Sequence, residues 1–287
     1  MIIIRLNGGL GNQMFQLALG KKLEYLGNNV QYDINSIESR IDVHNIVKSY
    51  DVFDIDLDIA NSKDIDKLSD LHCDLCTRIK RKFFGTKKTY YVEKKFGDED
   101  KKIYKLDNAY LDGYWQSFCY FDDCRKSVAD MFRFKLLDDG KNKYFENIIL
   151  SCKNSVSIHI RLGDYCTKEN VRDFGNICTD EYYSNCIEHF HNRFNDVNFF
   201  IFSNDLNYTK RFENRSNFYV INCNDEKNAW KDMYLMSICK HNIIANSSFS
   251  WWGAWLNHND DKVVIAPKKW INGRKMENIC PTNWLRF

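Results

Sequence analysis

The chain has 287 residues, with 41 basic against 39 acidic side chains and a net charge of +2; 44% of residues are hydrophobic and 28% charged. That balance belongs to a globular protein with a large core and excludes intrinsic disorder, collagen-like repeats and coiled coil. Near-neutral charge argues against wholesale nucleic-acid binding, and no run of ~18 apolar residues exists to span a bilayer as a helix.

The chain opens on three isoleucines followed by Arg5. This is too short for the apolar region of a secretory signal. It reads as a strand that begins at once, in a protein expected to start at Met1 and stay in the cytosol. Further strands are predicted over 30–34, 109–114, 156–161, 198–203, 218–221, 242–245 and 263–266, several of them continuous apolar runs suited to burial on both faces. Between them lie helical stripes. Phe15, Leu19, Leu23 and Leu26 share one face and Gly27 stops that helix. Tyr183, Cys186, Ile187, Phe190 and Phe194 form a second stripe, with Thr179 as its N-cap. A third helix is predicted from about 228 to 239. Alternation of strand and helix predicts an α/β fold with parallel sheets.

The stretch 61–105 differs in kind: it is highly charged and weakly periodic. Within 78–95, Arg78, Lys80, Arg81, Lys82, Lys87, Lys88, Lys94 and Lys95 are interleaved with Phe83, Phe84, Tyr90 and Tyr91. The plainer reading is a solvated insertion; the alternative is a peripheral contact with an anionic membrane surface. A boundary between lobes is expected near 138–154. Eleven scattered cysteines, an odd number in a long chain, read as reduced thiols rather than as redox chemistry or structural zinc at the single C-x-x-C of Cys73 and Cys76, since zinc needs four ligands and the adjacent His72 points elsewhere on any regular element.

Four segments carry chemistry. After the first strand come Asn7, Gly8, Gly9, Gly11, Asn12 and Gln13, a glycine-rich turn into a helix. It permits close backbone approach to a sugar or phosphate, but it matches neither the dinucleotide fingerprint nor a P-loop. At the end of the strand over 156–161, alternation puts His159 and Arg161 on one face, where ligands of open α/β sheets collect. Arginine's planar fork suits a diphosphate, Gly163 permits a sharp turn, and Asp164 can orient either cation. Asp205, again at a strand end, can accept from guanine or form an Asx turn. Finally, Asn246, Ser247 and Ser248 precede a helix. They are natural N-caps and can equally hold a phosphate. Beyond them Ser250, Gly253, Ala254 and Asn257 make a small face for close packing, while Trp251, Trp252 and Trp255 read as core. Asp54, Asp56 and Asp58 contain a D-x-D string that can hold a metal against a diphosphate, yet their alternation with apolar residues reads as the exposed face of a strand or edge.

Together, GGLGNQMFQ, HIRLGDY, FSND and NSSFSWWGAWL, from residue 7 to beyond 256, resemble glycosyltransferase family 11, the α-1,2-fucosyltransferases of bacteria and animals. The middle motif resembles the H-x-R-R-x-D signature of α-1,6- and protein O-fucosyltransferases, departing from it at Leu162, where a second arginine is usual. The resemblance implies the two-lobed type B glycosyltransferase fold (GT-B), with facing Rossmann-like lobes. Residues 1–145 would form the acceptor-side lobe, with the charged insertion near 61–105. Residues 146–287 would form the donor lobe, its C-terminal tail packing back on the first. It implies transfer of L-fucose from GDP-β-L-fucose to a hydroxyl, O-2 of a galactoside, on an oligosaccharide or lipid-linked glycan. Inversion and no metal or other cofactor are expected. On this reading Arg161 and Asp164 are catalytic, and His159, Arg161, Asp205, Asn246, Ser247 and Ser248 bind the donor. Asn7, Gly8, Gly9, Gly11, Asn12 and Gln13 contact the acceptor, and Asp33 and Asp112 stand as alternatives to Asp164 for the base. The competing expectations are a non-catalytic glycan-binding protein on the same fold, favoured by Leu162, or a fucosyltransferase of different linkage.

Overall fold

A computed structural model describes residues 1–39, 47–71, 81 and 85–287, without the side chains of Asp164 and Cys166. Cys73, Cys76, Arg78, Lys80, Lys82, Phe83 and Phe84 lie outside the described residues, as does the Asp164 carboxylate. The chain divides into two compact units, Met1–Arg133 and Phe134–Phe287. The division falls after residue 133 rather than 145, because the helix Gly140–Ser151 belongs to the second unit and packs on its sheet through Ile149.

In the first unit, β1 (Ile2–Arg5), α1 (Leu10–Tyr25), β2 (Val30–Asp33), α2 (Ser62–Leu68), β3 (Tyr90–Val92) and β4 (Ala109–Asp112) follow in chain order. The described strands form one parallel sheet, ordered β2-β1-β4-β3. Ile2, Ile3 and Ile4 are fully buried, as a strand covered on both faces requires. Gly27 ends α1 in the left-handed conformation, φ +87. The charged stretch 61–105 is more than an insertion. It supplies β3, paired to β4 from Tyr90 to Val92, and α2, whose Ile65 and Leu68 enter the core. Two of its cations also serve the fold: Arg81 pairs with Asp70, and Lys87 donates to the Ser69 carbonyl at 2.8 Å.

The second unit contains α3 (Gly140–Ser151), β5 (Ser155–Ile160), α4 (Asp180–Arg193), β6 (Asn198–Ser203), β7 (Phe218–Ile221), α5 (Ala229–Ile238), β8 (His241–Ile243), α6 (Ser248–Trp255), β9 (Val264–Ala266) and β10 (Leu285–Arg286). Its described strands are again parallel, ordered β10-β9-β8-β5-β6-β7. The C-terminal residues thus add an edge strand to their own sheet. One face carries Val156, Ile158, Ile160, Phe199 and Ile201 under α4. The other carries Phe200, Phe202 and Ile221 under α3 and α5. Thr179 caps α4 by accepting the Tyr182 N–H at 3.3 Å. Trp251, Trp252 and Trp255 are core: all are buried, and the Trp251 indole donates to the Ile279 carbonyl at 2.8 Å. On the small face of α6, a Cβ on Gly253 would come within 3.0 Å of Met236 Cβ, so glycine lets α6 lie tight against α5.

Among the described residues no helix is long and apolar enough to cross a membrane.

Candidate functional site

In the second unit the motif residues gather where β5, β6 and β8 end. Alternation sends Val156, Ile158 and Ile160 under α4 and turns Ser157 and His159 toward α5 and α6. Ser157 accepts from Asn242 at 2.7 Å, and the His159 ring lies 5.6 Å from that of Phe249 at the start of α6. His159 is 4% exposed, and its Nδ1 has no hydrogen-bond partner among the described residues. Burial, and secondarily the charge of Arg161, lower its pKa to about 3. At neutral pH it is therefore a neutral imidazole, one nitrogen donating and the other accepting.

Arg161 continues the same line one residue beyond the strand. Its guanidinium carbon stands 5.6 Å from the centre of the Tyr165 ring. Tyr165 stacks on Phe174 at 5.2 Å and donates its hydroxyl to the Asn246 carbonyl at 3.0 Å. That one side chain therefore joins the turn after β5, and with it Arg161, to the loop that enters α6. The turn itself is held by Asn204, whose Oδ1 accepts the Leu162 N–H at 3.0 Å. Gly163 has φ +49, and a Cβ there would meet Asn204 Nδ2 at 2.5 Å. Leu162 packs on the α4-side core, so the position of the usual second arginine anchors the turn from below.

Ser247 caps α6, its hydroxyl accepting the Phe249 N–H at 3.3 Å, and Ser248 is the first helical residue. The positive end of the helix dipole is thus close to His159. Asn246 is engaged within the fold. It is 3% exposed, Nδ2 donates to the carbonyls of Phe174 and Trp270 at 3.2 and 3.1 Å, and Oδ1 faces Cys178 Sγ at 3.6 Å. It braces the loop that carries the serines. Asp205 forms the Asx turn: Oδ1 accepts the N–H groups of Asn207 and Tyr208, each at 3.0 Å, and caps the short helix Leu206–Thr209.

Asp232 is a further buried carboxyl that the sequence motifs do not mark. Burial raises its pKa to about 7 against a hydrogen bond from Asn224 Nδ2 at 2.6 Å. Helices α5 and α6 both run back from the strand ends and touch at Met236 and Gly253. One turn closer to their N-termini stand Asp232 on α5 and Phe249 on α6. Its one sequence signal is a single acid in the largely apolar helix Ala229–Ile238.

In the first unit the glycine-rich turn follows β1. Gly8 has φ +79, and Gly9 is exposed at the N-cap of α1. Asn7 donates its N–H to Gln16 Oε1 at 2.9 Å, and Asn12 Oδ1 accepts from Gln116 at 2.7 Å. Gly11 and Gln13 are buried within α1. The Gln13 side chain is engaged within the fold: its amide donates to the carbonyls of Gly8 and Val47 and accepts the Ser49 N–H, each at 2.9 Å. The alternative bases also have partners within the unit. Asp33 accepts from Tyr110 Oη and from the Asn35 N–H at 3.0 Å, and Asp112 is paired with Arg5 at 3.1 Å and with Tyr90 Oη at 2.7 Å.

Among the described residues no three His, Cys, Asp or Glu side chains cluster to hold a metal ion. Asp54, Asp56 and Asp58 are exposed, with Asp54 closing the short helix Ser49–Phe53 at φ 55; the segment is not a regular strand.

The profile described as Glycosyl transferase family 11 matches residues 64–286. The chain is 32% identical to an alpha-1,2-colitosyltransferase of Escherichia coli, over 100% of this chain and 99% of that protein. It is 31% identical to the Escherichia coli O-antigen biosynthesis glycosyltransferase WbnK, over 98% and 99%. Among solved structures, an Arabidopsis thaliana FUT1 mutant in complex with GDP superposes with a TM-score of 0.53 at 12% identity, covering 97% of this chain and 72% of that one. That likeness concerns the fold, the two parallel-sheet α/β units of type B glycosyltransferases. With the profile spanning most of the chain and both bacterial relatives matching end to end, this chain belongs to glycosyl transferase family 11 and is a glycosyltransferase.

Proposed function

We propose that the chain transfers L-fucose from GDP-β-L-fucose to O-2 of a galactoside, in α-1,2 linkage, with inversion and without a metal. The observation that carries this reading is the joining of Arg161, through Tyr165, to the capped start of α6, with neutral His159 beside both. Departure of GDP builds negative charge on the β-phosphate. A guanidinium and a helix start already in place stabilise that charge without reorganisation. His159, kept neutral, donates to phosphate or nucleoside rather than acting as a cation. Asp205 is the carboxylate expected to accept from guanine, and Asp232, buried in the same unit, is an alternative to it. The acceptor hydroxyl loses its proton late in a loose, oxocarbenium-like transition state, which lowers the demand on a base; Asp164 is the carboxylate for that role.

The α-1,2 linkage is supported by the name of the alpha-1,2-colitosyltransferase of Escherichia coli that this chain matches end to end. The same name favours a second reading of the donor, a GDP-activated colitosyl group in place of fucosyl. A donor screen with a β-galactoside acceptor, run in EDTA, tests both. Transfer from GDP-fucose supports the first reading and selective transfer from GDP-colitose the second. Complete dependence on added Mn²⁺ would remove the metal-free step, and no transfer from any GDP-deoxyhexose would remove the proposal.

A further inference from the structure

The loop after β4 in the first unit, residues 113–117, is built in an unusual way. Trp115 is a bulky residue with φ +57, a conformation such residues rarely adopt, and its side chain is fully buried. Its backbone is held by Glu93, just beyond β3, whose carboxylate accepts the N–H groups of Tyr114 and Trp115 at 2.8 and 3.2 Å. Burial raises the pKa of that carboxyl, so its position is not one it takes freely. Gly113 leaves the room Glu93 needs, since a Cβ would stand 2.4 Å from Glu93 Cβ. Gln16 of α1 donates to the Gly113 carbonyl at 2.9 Å, and Gln116 reaches Asn12 at 2.7 Å. Trp115, Gln116 and Ser117 are all buried.

The outcome of this construction is one side chain turned outward. Tyr114 is 39% exposed. Its ring edge rests over Gly8, where a Cβ would lie 3.3 Å from Tyr114 Cε1, and it meets Phe96 edge-on at 6.1 Å. The ring stands at the carboxyl end of the parallel sheet, beside the glycine-rich turn, where open α/β sheets bind ligands. A backbone outlier held by surrounding structure points to a site rather than to packing alone. A rigid tyrosine offers a flat apolar face with a polar rim, the shape and chemistry that match the C–H face of a pyranose ring.

We infer that Tyr114 is the platform on which the acceptor's hexopyranose ring lies, with Glu93 as the positioning residue that holds it out. This deepens the sugar-transfer reading and rests on it, but binding alone can test it. Saturation-transfer NMR is run with the methyl β-glycosides of galactose, glucose, N-acetylgalactosamine and N-acetylglucosamine, on the wild type, Tyr114→Ala, Tyr114→Phe and Glu93→Gln. At least one glycoside is expected to bind the wild type and Tyr114→Phe and to lose about tenfold in affinity in Tyr114→Ala and Glu93→Gln. Circular dichroism of each variant confirms that it is folded. If transfer is observed, the same two variants raise the acceptor KM about tenfold while kcat and GDP affinity hold, a split that general loosening of the fold would not give. Glycoside binding by Tyr114→Ala equal to the wild type, or no binding of any of the four by the wild type, overturns the inference. Binding without any turnover overturns the proposed activity and leaves the platform standing.

Discussion

Two buried groups in the second unit should pull the stability of the protein in opposite directions as the pH falls. His159 is held neutral down to about pH 3, against an ordinary value of 6.5. Between those limits the unfolded chain takes up a proton that the native protein refuses, so stability falls with pH. The loss is ~1.4 kcal/mol per pH unit, hence ~2 kcal/mol between pH 6.5 and 5.0. Asp232 behaves inversely. Its native pKa is about 7 against an ordinary 3.8. Between those values only the native state holds the proton, and stability rises by ~2–3 kcal/mol as the pH falls from 7 to 5. The two effects offset one another in the wild type and separate in variants. Relative to the wild type, His159→Gln should gain ~2 kcal/mol on going from pH 7.5 to 5.0, whatever constant offset the substitution brings. Asp232→Asn should lose ~2–3 kcal/mol over the same interval. Urea unfolding followed by tryptophan fluorescence is the assay. Of the seven tryptophans only Trp115 lies in the first unit, so the signal reports the unit that contains both groups. A difference between His159→Gln and wild type that is the same at both pH values would refute the claim that burial keeps this imidazole neutral.

Other outcomes follow from the same geometry. Arg161→Ala should lower kcat/KM by ~10²–10³, the effect of removing one preorganised donor to a developing anion, and steady-state kinetics with the transferred sugar would show it; unchanged kinetics would remove the diphosphate role. Trp252→Ala should cost ~3–5 kcal/mol through lost packing, read from the same urea transitions, because the ring is fully buried against Trp251 and Trp255. Gly163→Ala should weaken the donor site without touching it, since the new methyl group collides with Asn204 and displaces the bond that fixes Leu162. A higher Kd for GDP with little change in acceptor KM is the expected calorimetric and kinetic signature.

Much of the architecture was legible from local pattern. Ile2 to Ile4, Val156 to Ile160 and Asn198 to Ser203 are strands because unbroken apolar or alternating runs have few other places to go, and parallel pairing follows from the helices between them. Gly27 and Thr179 ended and began helices where their chemistry predicted. What could not be read locally was the work given to polar side chains whose partners are distant in sequence. Gln13 and Asn246 looked like ligand contacts. Their amides are occupied by backbone groups 5 to 72 residues away, and only the folded chain brings those carbonyls within reach. Tyr90 to Val92, inside a charged stretch, became a strand because β4 offered an open edge. Asp232, Glu93 and the backbone of Trp115 gave almost no signal, because desolvation and strain are properties of surroundings. Composition and periodicity thus determined the two sheets and the strand ends where a ligand belongs. Which side chains remain free to meet it was decided by packing, since a polar group is available only when no nearer partner satisfies it.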